Sequence, residues 1–161
     1  GSEMCIRDSN NAASSSEAET SDEEISLSGY HILLAEDNLL NLEIAEFILT
    51  DAGAVVTKAC NGEEALHLFM ESSPCEYDII LMDIMMPVMD GYQTTRAIRS
   101  LDRPDAKTIP ILAMTANAFA EDRQKTYAAG MNEHLTKPLD TELLLKTIAK
   151  YTPEKKAPMT P

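Results

Sequence analysis

Five times along this chain, a short apolar run is followed by a segment with apolar residues at helical spacing. The runs 30–35, 54–59, 77–82, 109–114 and 132–136 each predict a strand. The segments 38–52, 61–71, 91–100, 118–129 and 140–151 predict helices. Leu39, Leu42, Ala45, Ile48 and Leu49 set the apolar spacing of the first helix, and Ala65, Leu66, Leu68 and Phe69 are the expected inward face of the second. Leu143, Leu144 and Ile148 are expected to point inward from the last. Asn38 stands where an N-cap belongs, and Gly53 and Gly130 stand where helices stop. Strands that alternate with helices of this size require a parallel sheet covered on both faces. Right-handed crossovers then limit the topology. The expected class is therefore α/β, with five strands and five helices in three layers.

The 161 residues suffice for one domain with a sizeable core. Residues 1–29 are rich in Ser, Ala, Asn and Glu and are expected to form a disordered acidic leader. Residues 152–161, with three prolines and two lysines, are expected to form a disordered tail, which leaves 30–151 as the folded domain. No apolar run approaches the roughly 20 residues that cross a bilayer, and no signal-peptide pattern is visible. The net charge is −14, of which the leader holds 7 acids and one arginine. Such a balance argues against a basic surface for nucleic acid. Cys5, Cys60 and Cys75 form no CxxC and have no paired histidines, which argues against a disulfide framework or a zinc site. Cys60 and Cys75 are read as buried or half-buried thiols of a reducing compartment.

The chemistry gathers just past the strands. Glu36 and Asp37 follow the first, Asp83 ends the third, Thr115 follows the fourth and Lys137 the fifth. Open parallel sheets collect their functional groups at these carboxyl ends. Clustered carboxylates raise one another's pKa, and a hard divalent cation relieves the repulsion. A lysine and a hydroxyl beside such a cation suit the remaining oxygens of a phosphoryl group. The constellation therefore reads as a phosphorylation site with Asp83 as acceptor, Glu36 and Asp37 for the metal, and Lys137 and Thr115 for the phosphoryl oxygens.

The motifs Glu36-Asp37-Asn38, Asp83-Ile-Met-Met-Pro-Val-Met-Asp-Gly91, Met114-Thr115-Ala116 and Lys137-Pro138 occur in order over residues 30–151. On them the chain resembles the receiver domain of two-component response regulators, and most of all the receivers attached to hybrid sensor kinases. The resemblance implies a flavodoxin-like (CheY-like) fold with strand order 2-1-3-4-5. It implies Mg²⁺, with Mn²⁺ as a substitute, bound by Asp37, Asp83 and the backbone carbonyl of Met85, with Glu36 acting through water. It implies phosphoryl transfer from a histidine kinase or histidine phosphotransfer protein, and a cis bond between Lys137 and Pro138. Thr115 is expected to move toward the phosphoryl group. The downstream protein is expected on the face of helix 118–129, strand 132–136 and helix 140–151, with neither nucleic acid nor membrane bound by this chain. His134 stands where such domains often carry Tyr or Phe, so the implied switch is altered in polarity and pH response. The implied location is cytoplasmic, either as a stand-alone receiver or as part of a membrane-anchored hybrid kinase.

Other readings fit less well. An aspartate-nucleophile phosphatase of the haloacid type needs Asp-x-Asp after its first strand, where this chain has Glu36-Asp37. A pseudo-receiver would lack one of the five key side chains. No P-loop or kinase nucleotide box is visible, so no independent kinase activity is expected. Asp90-Gly91 is read as a turn and helix cap, and Met82, Met85, Met86 and Met89 as packing.

Overall fold

The computed structural model describes residues 25–116, 120–137 and 139–152. Its strands are β1 (His31–Ala35), β2 (Val55–Ala59), β3 (Ile79–Asp83), β4 (Ile111–Thr115) and β5 (Glu133–Thr136). Its helices are α1 (Leu39–Asp51), α2 (Gly62–Glu71), α3 (Gly91–Arg99), α4 (Pro104–Thr108), α5 (Ala120–Ala129) and α6 (Thr141–Tyr151). The strands form one parallel sheet in the order β2-β1-β3-β4-β5. This is the 2-1-3-4-5 order expected from the resemblance.

Alternation along the strands builds two cores. Ile32, Leu34, Leu81, Leu112 and Met114 face one side, where Leu49 of α1 and Leu144 and Ile148 of α6 cover them. Leu33, Ile80, Met82 and Ala113 face the other, against Phe69 of α2, Ile98 of α3 and Ala106 of α4. The inner strands β3 and β4 are buried at every position, which is why they read as unbroken apolar runs. The edge strands β2 and β5 are partly exposed and carry Lys58 and Glu133.

Helix starts hold the strand ends in place. The side chains of Asn38, Asn61, Asp90 and Asp140 each accept a backbone N–H of the first turn that follows. Each such cap stabilises its helix by about 1 kcal/mol. Asp90 and Gln93 complete a reciprocal capping box, in agreement with the turn-and-cap reading of Asp90-Gly91.

Several expectations need correction. Among the described residues there are six helices rather than five, because α4 adds one turn between α3 and β4. Five residues opened by proline show no periodicity, so the segment reads as loop in sequence. Residues 25–29, expected in the leader, belong to the fold. Leu27 is fully buried, and its N–H donates to the Ala52 carbonyl at 2.7 Å. Thr152, expected in the tail, is buried and donates to the Tyr30 hydroxyl at 2.9 Å. The rest of the expected leader, 1–24, and of the tail, 153–161, lies outside the described residues. Cys60 and Cys75 are exposed rather than buried, since each sits in a loop. Leu39, Leu143 and Met85 are also exposed, the first two on outward helix faces and the third in the loop after β3.

Candidate functional site

The sheet carries each predicted acid to the same edge. The Glu36 N–H donates to the Ala59 carbonyl at 3.0 Å, which extends the β1–β2 ladder one residue past β1. The Ile84 N–H donates to the Met114 carbonyl at 3.1 Å, which fixes Asp83 at the end of β3. Oxygens of Glu36, Asp37 and Asp83 lie within 4.8 Å of one another. Glu36 and Asp83 are each only 2% exposed, whereas Asp37 faces solvent.

Lys137 and Thr115 arrive together. The Lys137 N–H donates to the Thr115 carbonyl at 2.7 Å, and Thr115 is itself the last, buried residue of β4. From there the Lys137 ammonium lies 3.1 Å from Glu36 Oε1 and 3.2 Å from Asp83 Oδ1. Glu36 Oε2 also accepts the Asn38 N–H at 3.2 Å. Burial pushes the Asp83 carboxyl up to about 7, with the Glu36 charge adding to the rise and Lys137 opposing it. Burial works to lower the Lys137 pKa, but its hydrogen bonds and its proximity to the charges of Glu36 and Asp83 raise it on balance. One ammonium thus faces three carboxylates, and two negative charges remain when all three are ionised. The donors at the cluster are carboxylate oxygens, a set that fits a hard dication such as Mg²⁺.

The loop after β3 is tightly constrained. The Met85 N–H turns back to Asp83 Oδ1 at 3.3 Å. The Met89 N–H donates to the Pro87 carbonyl at 2.7 Å across Val88, whose φ is +71°. That is a γ-turn with a β-branched residue in the left-handed region, a strained arrangement. The Gly91 N–H closes the loop on the Ile84 carbonyl at 2.9 Å. A Cβ on Gly91 would lie 2.6 Å from the Asp83 carbonyl oxygen, so only glycine lets α3 start this close to the acid.

His134 lies apart from this group. It is partly exposed in β5, in register with Ala113, on the sheet face opposite Leu135. The expected cis bond at Pro138 lies outside the described residues. Sequence reading missed Gly62, where a Cβ would run into the Thr94 hydroxyl and the Met89 carbonyl. An Asn-Gly pair at a helix start gives no hint of that contact. It also missed the outer face of α1, where Leu40, Ile44 and Phe47 are exposed at i, i+4 and i+7 spacing.

Residues 32–149 match the family described as response regulator receiver domain. The chain is 37% identical over 135 residues to hybrid signal transduction histidine kinase I of Dictyostelium discoideum. That match covers 80% of this chain and 8% of the kinase, so the chain spans a small fraction of that relative's length. The receiver domain of the sensor histidine kinase PA1611 from Pseudomonas aeruginosa PAO1 shares 37% identity at a TM-score of 0.71, over 78% of this chain and 99% of that one. Its crystal structure holds a magnesium ion coordinated in the active-site cleft. The receiver domain of the Saccharomyces cerevisiae response regulator Ssk1, solved with the histidine phosphotransfer protein Ypd1, shares 26% identity at a TM-score of 0.70, over 80% of this chain and 92% of that one. With its sheet order, its acid cluster and this family match in agreement, the chain belongs to the response regulator receiver domains of two-component phosphorelays.

Proposed function

We propose that Asp83 is the phosphoacceptor of this receiver and that a phosphohistidine on a partner protein is its donor. An Asp83 carboxylate oxygen attacks phosphorus, the bond from phosphorus to the imidazole nitrogen breaks, and its electron pair stays on the imidazole. The observation that carries this reading is the Lys137 ammonium held against both Glu36 and Asp83. As the carboxylate becomes an acyl phosphate, the ammonium can turn from Asp83 Oδ1 to a phosphoryl oxygen. The Thr115 hydroxyl would donate to a second one. Glu36, Asp37, Asp83 and the Met85 carbonyl would hold Mg²⁺ or Mn²⁺, which when bound neutralises the crowded negative charge. The magnesium in the Pseudomonas receiver supports that assignment. His134 would act as a switch residue together with Thr115.

The donor docks on the outer face of α1. Among the described residues Leu40, Ile44 and Phe47 form an exposed apolar stripe on α1, and Met85 and Val88 are exposed in the loop that follows Asp83. Glu43 and Asp51 on the same helix favour a donor helix with a basic rim. The complex of the yeast receiver with its phosphotransfer protein supports a donor of this class. The downstream partner would read α5, β5 and α6, where Tyr127 and Leu143 are exposed. With such a donor the domain would work in the cytoplasm, and the chain itself would catalyse only transfer to Asp83 and later hydrolysis.

Incubation with acetyl phosphate and Mg²⁺ is expected to add one phosphoryl group by intact-mass spectrometry. Asp83→Asn should abolish it, and equal labelling of that variant sinks the assignment.

A further inference from the structure

At the edge of the sheet opposite the acid site, the described residues line an open cleft of about 320 Å³. Tyr77 and Asp78 reach it from just before β3, and Ile109 and Pro110 from just before β4. Exposed Cys75 also lines it, in a loop whose Cys75 N–H donates to Asp105 Oδ2 at 2.9 Å. The cleft is thus apolar along Tyr77, Ile109 and Pro110 and acidic at Asp78 and Asp105. Asp105 already pairs with Arg103 at 2.7 Å. Asp78 and, two residues before it, exposed Glu76 therefore supply the negative side of the cleft.

The chain leaves the described fold inside this cleft. Thr152, the residue after α6, is one of its lining residues. It is buried, and its carbonyl accepts the Tyr30 hydroxyl at 3.3 Å, so the point of departure is fixed. Pro153 comes next in sequence and, without an N–H, cannot continue the helix.

The sequence that follows suits what it meets. Residues 153–161 carry Lys155 and Lys156 against a single acid, Glu154, in a chain of net charge −14. The two lysines are the third and fourth residues past Thr152, a reach of roughly 10–13 Å in extended chain, enough to cross the cleft. Ala157, Pro158 and Met159 add apolar groups for the apolar side. Three prolines restrict the free segment, so less entropy is lost when it seats. Attachment at Thr152 holds the segment at an effective concentration on the order of millimolar, so that weak contacts suffice.

We propose that residues 153–161 return along this cleft as an intramolecular strap, with Lys155 and Lys156 paired to the acids at Asp78 and Glu76 and Met159 laid on the apolar residues. The strap is independent of Asp83 being the acceptor, since it occupies the other edge of the sheet.

Nitrogen-15 relaxation of the full chain tests it. The Glu154 to Met159 amides should show order parameters above about 0.6, the level below which backbone counts as flexible. Lys155→Glu with Lys156→Glu, outside the described fold, should drop them below that level. The same variant should shift the Cys75 and Asp78 amide resonances and leave those of Leu33 and Leu34 in β1 unmoved. High salt should weaken the order in the wild type, because the pairs are screened. Flexible amides over 154–159 in the wild type overturn the proposal. So does an ordered segment whose lysine variant leaves the Cys75 and Asp78 resonances in place, which would seat it elsewhere. Order that disappears on dilution assigns the segment to the cleft of a second copy and likewise overturns an intramolecular strap.

Discussion

Asp83 is a buried acid whose pKa is raised to about 7 from 3.8, and that shift has a sign that can be followed through unfolding. At a pH below the unfolded value, Asp83 is protonated in both states and adds no pH dependence. Between about 4 and 7 the unfolded chain releases this proton while the folded chain keeps it, so stability falls as pH rises. Above the folded value the loss is complete, on the order of a few kcal/mol. Asp83→Asn removes the charge and keeps the shape. In metal-free buffer its urea midpoint should match the wild type near pH 4 and exceed it near pH 8. Parallel pH profiles for the two proteins would contradict the buried-acid account. The same comparison in saturating Mg²⁺ should narrow the gap, because the variant keeps only two of the three clustered carboxylates and a dication would stabilise its fold less than the wild type's.

At the scale of elements, two features set expectations. Arg103 joins α2 to α4. It donates to the Phe69, Ser72 and Ser73 carbonyls, pairs with Asp105 at 2.7 Å and lies over the Phe69 ring at 4.6 Å. Arg103→Ala strands Asp105 and uncaps the end of α2, and should lower unfolding free energy by about 3 kcal/mol in urea titration. A loss within the range of ordinary surface substitutions would show that the joint is not needed. The loop that shapes the acid site carries strain at Val88. Val88→Asn, which tolerates the left-handed region, should raise stability by about 1 kcal/mol. Unchanged or lower stability argues against strain there. These elements also show what sequence could reveal. β3 and β4 were legible because burial on both faces leaves an unbroken apolar run. α4 was not, since a single proline-started turn has no period. Leu27 was hidden in a Ser- and Glu-rich neighbourhood, although one leucine in such a stretch can still fill a core position. The five site residues were readable as residue types at strand ends, but their convergence depends on strand order, which periodicity leaves open and the family resemblance supplied.

For the whole molecule, the separation of tasks between faces can be tested. In the proposed docking mode the donor covers the apolar stripe of α1, while a small phosphodonor would reach the acid site without it. Ile44→Lys with Phe47→Asp should therefore slow transfer from a phosphohistidine protein by at least about tenfold while labelling by acetyl phosphate is retained. Equal losses with both donors would place the damage in the site and not on the surface. The charge of −14 draws cations of every kind toward this protein. Yet Lys137 already spans Glu36 and Asp83, so the resting site behaves as an ion exchanger that is sold with its own monovalent counter-ion in place. Sodium or potassium brings no more charge than the ammonium it would displace. A divalent ion brings twice as much, and so a preference for divalent ions over the abundant monovalent salts is built into the side chain that bridges the two buried acids.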